Sequence, residues 1–274
     1  MSFNDNSFQA SKRSFFSKVR EISSEASQAY KQKGLLHIIR MGHKVALDYF
    51  CAWYYATFKK SETFEFQGRN YYYLFPPISS FLPYEFVCSW KNERAVLIPI
   101  LWESVKKYLQ EKKTILEVGN VLSYIFKIEH DVLDKYEIAD GVINEDVVDF
   151  KPSKQYDLIV SIFTLQSVGW DETPKEPMKV LRAVENLRSL LAPGGQMIVT
   201  LPLGYNTYMD NLLRTHVLKF DKQYYIKRNT NHRWREASLD EVKDAKYDQS
   251  IPSATAVLIG ITEKRNVNLN SSPT

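Results

Sequence analysis

Three groups of residues in this chain carry side chains able to hold or activate a ligand. The first is Trp90-Lys91-Asn92-Glu93-Arg94, where a ring, an acid and a guanidinium stand together at the opening of a helical pattern. Arg94 can grip a carboxylate or phosphate through parallel N–H bonds. Alternatively, Asn92 caps the helix, Glu93 favours its positive end and Arg94 pairs on the surface. The second group is two loops, Trp170-Asp171-Glu172 and Pro202-Leu203-Gly204-Tyr205-Asn206, whose aromatic and amide character suits a substrate wall. Glu93, Arg94, Trp170, Tyr205 and Asn206 are therefore the candidate substrate contacts. The third is the apolar run from Thr114 to Val118 that ends in Gly119, where a tight turn lets a ligand approach the backbone. His232 stands among Arg233, Trp234 and Arg235, and a lone histidine is more often incidental than a base. Cys51 and Cys88 have no metal-ligand spacing and form no disulfide framework, so no metal is expected and a reducing, cytoplasmic setting is.

These residues need a scaffold, and the pattern of the chain supplies one. Apolar residues recur at helical spacing from Leu35 to Phe58, and again from about Asn92 to Gln110 with Pro99 inside. Between them, Thr63 to Val87 is aromatic and proline-punctuated, which reads as short strands and loops forming a lid or linker. Then the text alternates. Strands are expected at Thr114–Val118, Asp131–Leu133, within Gly141–Val148, at Asp157–Ile162 and at Gln196–Leu201, with helices at Val121–Phe126 and Pro177–Leu191. Two further strands are expected at Gln223–Lys227 and Ala254–Thr262. Strands alternating with helices predict a Rossmann-like α/β fold, a mostly parallel seven-stranded sheet with helices on both faces. The expected organisation is an N-terminal helical and lid region over 1–85, the α/β domain over 86–263 and a disordered tail over 264–274. Ligands of such a sheet bind at the carboxyl ends of its strands, where strand order reverses.

Composition narrows the partners. The 274 residues are 44% hydrophobic and 25% charged, ordinary globular material. The net charge of +4 is uneven, since residues 1–60 hold ten Lys/Arg against four Asp/Glu. That basic N-terminus suits peripheral contact with a membrane surface or an anionic substrate, or is simply a solvated helix face. Leu35–Phe58 is interrupted by Arg40, His43, Lys44 and Asp48, which fits an amphipathic helix rather than a membrane span.

Leu116-Glu117-Val118-Gly119 resembles the acidic-x-Gly opening of motif I in class I S-adenosylmethionine-dependent methyltransferases. Tyr156-Asp157-Leu158-Ile159-Val160-Ser161 resembles their fourth strand, and Leu190-Leu191-Ala192-Pro193-Gly194-Gly195 the turn before their fifth. The resemblance implies a cofactor, S-adenosyl-L-methionine. It places Glu117, Gly119 and Asn120 near the methionine end and Asp134 on the ribose hydroxyls. Asp146 with Val147, or else Asp149, flanks the adenine, and Ser161 and Phe163 line the floor. The chain departs from the family after Gly119, where Asn120, Val121 and Leu122 replace the remaining glycines; Asn120 tolerates the left-handed backbone that a second glycine would take. It departs again after the fourth strand, where many small-molecule members carry a Glu-His pair and this chain reads Thr164-Leu165-Gln166-Ser167-Val168-Gly169, so no catalytic residue is assigned.

The implied activity is in-line methyl transfer to a small molecule, a sugar or glycoconjugate being suggested by the polar aromatic lid. The alternative is a non-catalytic binding or scaffolding member that has lost the cofactor. A dinucleotide enzyme is disfavoured because no Gly-x-Gly-x-x-Gly follows the first strand. No nucleic acid is expected either, because the Asn/Asp-Pro-Pro-Tyr sequence of amino-methylating enzymes is missing.

Overall fold

In the computed structural model of the protein, residues 35–75, 92–231, 233–248 and 253–265 are described. Residues 1–34, the second half of the lid, Trp90, Lys91, His232 and the tail from 266 lie outside them.

Helix α1 (Leu35–Phe58) has the bounds that its apolar spacing predicts, and a hairpin of β1 (Thr63–Phe66) and β2 (Arg69–Tyr72) follows. The described part of the expected lid is thus a hairpin built into the core. Phe64, Phe66, Tyr73 and Phe75 are all buried, Phe66 packs edge-on to Tyr224, and the Tyr73 hydroxyl accepts from the Trp234 amide at 3.2 Å.

Helix α2 (Arg94–Gln110) leads into β3 (Ile115–Val118). Then come β4 (Asp131–Leu133), β5 (Val142–Ile143), β6 (Tyr156–Ile162), α3 (Lys179–Leu190), β7 (Leu191–Pro202), α4 (Thr207–Arg214), β8 (Lys222–Arg228), β9 (Trp234–Ala237), the short α5 (Leu239–Val242), the pair β10 (Tyr247–Asp248) and β11 (Ser253–Ala254), and β12 (Ala256–Glu263). The main sheet runs β5-β4-β3-β6-β7-β12-β8-β9. Its first five strands are parallel, and β12 is antiparallel to both β7 and β8. Eight strands replace the expected seven because β9 adds an edge strand. Its sequence, Trp-Arg-Glu-Ala, has one buried residue and no alternation to reveal it.

The parallel strands are buried on both faces, so they read as apolar runs rather than alternations. Leu116, Ile159, Met197 and Val199 face α3 and α4, which supply Val180, Val184, Leu187, Met209 and Leu212. Ile115, Leu158, Val160, Ile198 and Val257 face α2 and the hairpin. A doubly wound sheet follows, with β3 and β6 at its centre and the order reversing between them.

The β3–β4 crossover is short. Val121–Phe126, expected as a helix, makes only a 3-10 turn at Leu122–Tyr124. Val121 and Leu122 are buried rather than facing a ligand, and Phe126 stacks flat on Trp102 of α2 with centroids 3.9 Å apart. Apolar contacts, not a regular helical ladder, fix this segment.

Candidate functional site

The site is built where β3, β4 and β6 end together. Gly119 follows β3 with φ +86, and its amide donates to the Leu133 carbonyl at 2.8 Å. Only glycine takes this conformation readily, so the turn is written into the residue type. A methyl group on Gly119 would stand 1.8 Å from Thr164 Oγ1. Thr164 therefore covers the turn directly.

Glu117, wholly buried, is the keystone of the turn. Its Oε1 accepts from the Val121 and Leu122 amides, both at 2.8 Å, and its Oε2 lies 2.9 Å from His130 Nε2. The carboxylate thus does the work that the missing glycines and helix would share, collecting two amides that the 3-10 turn leaves open. Asp134 ends β4. Its Oδ1 accepts from the Tyr136 and Glu137 amides at 2.9 and 2.8 Å, while Oδ2 has one long bond, 3.4 Å, from the Asn120 amide. Asn120 itself does not take the left-handed backbone expected of it. Its side chain donates to Glu137, which also accepts from Tyr124 at 2.6 Å. The left-handed residue of the site is Phe163, with φ 51 at the end of β6, a conformation that costs energy and clusters at functional sites.

Asp146 lies in a network of four charges. Its Oδ2 is 2.5 Å from Lys179 and 2.9 Å from Lys135, and Lys179 also reaches Glu172 at 2.6 Å. Burial pushes the Asp146 carboxyl up, but the two lysines and the Val148 amide outweigh it and hold it at about 2. An adenine amine would compete with both lysines for this oxygen. Val147 is buried in the core facing α3, Asp149 is exposed, and Ser161 donates to the Val118 carbonyl at 3.2 Å, tying β6 to β3 beneath the site.

A second cluster stands beside the first. Glu93 is buried and accepts from the Ala254 amide at 3.1 Å, and burial raises its carboxyl above the usual range. The Arg94 guanidinium lies 5.9 Å from the Phe163 ring centre, and Asn92 Oδ1 caps the Arg94 amide at 2.8 Å. Tyr205 donates to Asp171 at 2.6 Å and meets Tyr247 edge to face at 4.8 Å. Burial, with Asp171, pushes Tyr205 up to about 12; burial, with Glu93, does the same for Tyr247. Trp170 is covered by Lys175 at 4.2 Å. Asn206 is structural: Oδ1 caps α4 at the Met209 amide, and Nδ2 donates to the Gln166 carbonyl.

Sequence reasoning missed His130, Thr164, Gln166, Lys179 and Tyr247. Gln166 is the most informative of them. Its Nε2 donates to the Phe163 carbonyl, yet its Oε1 is buried with no hydrogen-bond partner among the described residues, a state that in a folded interior calls for a ligand or water. The signal for it was its place in the stretch Thr164 to Gly169, where many members carry the Glu-His pair. A groove of about 440 Å³ exists elsewhere, between α2 and the outer strands, floored by Ile198, Ile259 and Ile261. It is away from the reversal of strand order and plays no part in this site.

The strand order, its reversal between β3 and β6, and the turn at Gly119 define a Rossmann-like α/β fold. No protein-family model matches the chain, and no curated protein matches it. Among solved structures it is similar to the N-methyltransferase NodS from Bradyrhizobium japonicum, at 15% identity over 61% of this chain and 98% of that one, TM-score 0.33. It is also similar to a SAM-dependent methyltransferase from Thermotoga maritima titled a possible histamine N-methyltransferase, at 13% identity, 61% and 97% coverage and TM-score 0.36. A third, a SAM-dependent methyltransferase from Methanosarcina mazei, aligns at 14% identity, 60% and 97% coverage and TM-score 0.34. At these scores the fold rests on the strand pairing, and the alignments add no weight to it.

Proposed function

We propose that the chain binds S-adenosylmethionine across the ends of β3, β4 and β6 and passes its methyl group to a small-molecule acceptor. One observation carries the reading: at the strand-order reversal a left-handed glycine turn, Gly119, is faced by a carboxylate, Asp134, one oxygen of which is held among the described residues only by a 3.4 Å bond. That oxygen suits a ribose hydroxyl as donor. The buried Oε1 of Gln166 is a second acceptor in waiting. Glu117 holds the turn in shape.

The cofactor, when bound, supplies a methyl group on a sulfonium for in-line displacement. The chain's residues orient the acceptor and exclude water. Arg94 and the Phe163 ring form one wall for it. Tyr205, held as a phenol up to about 12 with its one proton on Asp171, can accept a hydrogen bond from the acceptor molecule and does not remove a proton. Glu93, raised by burial, is the acid-base candidate for an acceptor that keeps its proton at neutral pH.

A second reading has its own observation. Thr164 fills the space over Gly119, and Asn120 and Tyr124 are already bound to Glu137. This arrangement suits a binding or scaffolding module that has lost the cofactor. Calorimetric titration with S-adenosylmethionine and S-adenosylhomocysteine separates the two. The enzyme reading expects binding that Asp134→Ala weakens about tenfold or more and that Thr164→Ala leaves intact or improves. Absence of binding in the wild type and in Thr164→Ala leaves the second reading standing.

A further inference from the structure

Helix α1 packs on the domain near its end and, among its described side chains, exposes a row of large apolar residues. Tyr55 and Ala56 pack with the hairpin-side core, where Tyr55 meets Phe75 at 5.0 Å. The other face exposes Ile39, Leu47, Phe50, Trp53, Tyr54 and Phe58, with Phe50 and Phe58 each more than half exposed. Their rings lean on one another, Phe50 on Trp53 at 5.7 Å and Tyr54 on Phe58 at 5.4 Å, and make a continuous ridge. The positions between them on this face are Gly42, His43, Ala46 and Thr57, none of them acidic, with Arg40 at its edge in line with Phe58. At 1.5 Å per residue the 24-residue helix is about 36 Å long.

We infer that α1 lies in the surface of an anionic lipid bilayer, with this aromatic ridge inserted and the basic excess of the N-terminal region on the headgroups. Two observations select this occupant over a protein. Trp, Tyr and Phe together on a helical face without acidic residues, with Arg40 at its edge, match the headgroup boundary, where the amphipathic rings of Trp and Tyr are favoured. The ten Lys/Arg against four Asp/Glu of residues 1–60 supply the complementary charge, while the rest of the chain has 26 against 28 and none to spare. No helix among the described residues is long and apolar enough to cross a membrane, so contact is parallel to the surface. The inference is independent of cofactor binding.

Sedimentation of the full chain with phospholipid vesicles tests it. Vesicles with about 30% phosphatidylglycerol should bind about tenfold or more tightly than phosphatidylcholine vesicles, and less tightly as salt rises. Trp53→Glu with Phe58→Glu should abolish that binding with an unchanged circular dichroism spectrum. If that pair disturbs the packed end of the helix, Leu47→Ser with Phe50→Ser, farther from it, should still cut binding about tenfold. Failure of the wild type to bind anionic vesicles would overturn the inference. So would full binding by the folded variants, or a stable dimer that the same substitutions dissolve, which would make the ridge an interface between copies.

Discussion

The two ends of the parallel strands treat their polar groups in opposite ways. At the amino ends, Asp131 accepts from the Tyr156 hydroxyl and Lys154, both at 2.8 Å, and Asp157 accepts from the Thr114 amide and hydroxyl, both at 2.9 Å. Burial pushes each carboxyl up, but these donors outweigh it and both end below the usual range. At the carboxyl ends the balance is divided, since Lys135 and Lys179 hold Asp146 at about 2 while other acids are left short. Burial holds Glu93 above the usual range and Asp210 at about 6, and neither Asp210 Oδ1 nor Gln166 Oε1 has a partner among the described residues. Groups matched at one end stabilise the fold; groups left short at the other are where a ligand's chemistry can act. Glu117, like Asp146, crosses the divide, since it stands at the carboxyl end yet is matched, and unlike Asp146 it is wholly buried.

That exception gives the largest expected effect. Glu117→Ala strips the Val121 and Leu122 amides and His130 of their acceptor in a dry interior, and should cost about 3–5 kcal/mol, read as a lower urea midpoint. A loss below about 1 kcal/mol would mean that water reaches the turn and that Glu117 belongs with the unmatched groups. Gly119→Ala comes next. It places a side chain at φ +86 and against Thr164, costing about 2–4 kcal/mol from backbone strain and overlap together. Adding Thr164→Gly should recover the overlap and leave the strain. Full recovery would show that the turn is not held left-handed.

How much of this was legible in sequence follows the same divide. The scaffold was readable because buried parallel strands announce themselves as apolar runs, as in Ile115–Val118 and Tyr156–Ile162, and α1 because its stripe keeps one period for 24 residues. β9 and the 3-10 turn were not, since their formation depends on tertiary contacts of Trp234 with Tyr73 and of Phe126 with Trp102. Within the site, Glu117, Gly119 and Asp134 were readable from type and position at strand ends. The partners were not. His130, Lys179 and Tyr247 come from segments distant in the chain, and no spacing rule links Lys179 to Asp146. The reading of Asn120 as a left-handed residue failed because Asp134 and Glu137 bind its amide and side chain in an ordinary conformation.

The sharpest test of the two ends applies one kind of substitution, acid to amide, to each. Asp157 has a lowered carboxyl, so its contribution is fully present above the ordinary carboxylate pKa and is lost as pH falls through its folded value. Asp157→Asn should therefore lose about 1 kcal/mol at pH 7, modest because the side chain is a quarter exposed to solvent. Glu93 is raised, so ionising it opposes folding: wild-type stability falls as pH climbs from about 4 through its folded value. Glu93→Gln keeps an oxygen for the Ala254 amide and removes the charge. It should raise the urea midpoint at pH 7, by the equivalent of about 1 kcal/mol or less, and the gain should vanish near pH 4. Opposite signs at pH 7 would support a division of labour between the ends. A lower midpoint for Glu93→Gln would place Glu93 among the structural acids and take from the site its one acid-base candidate.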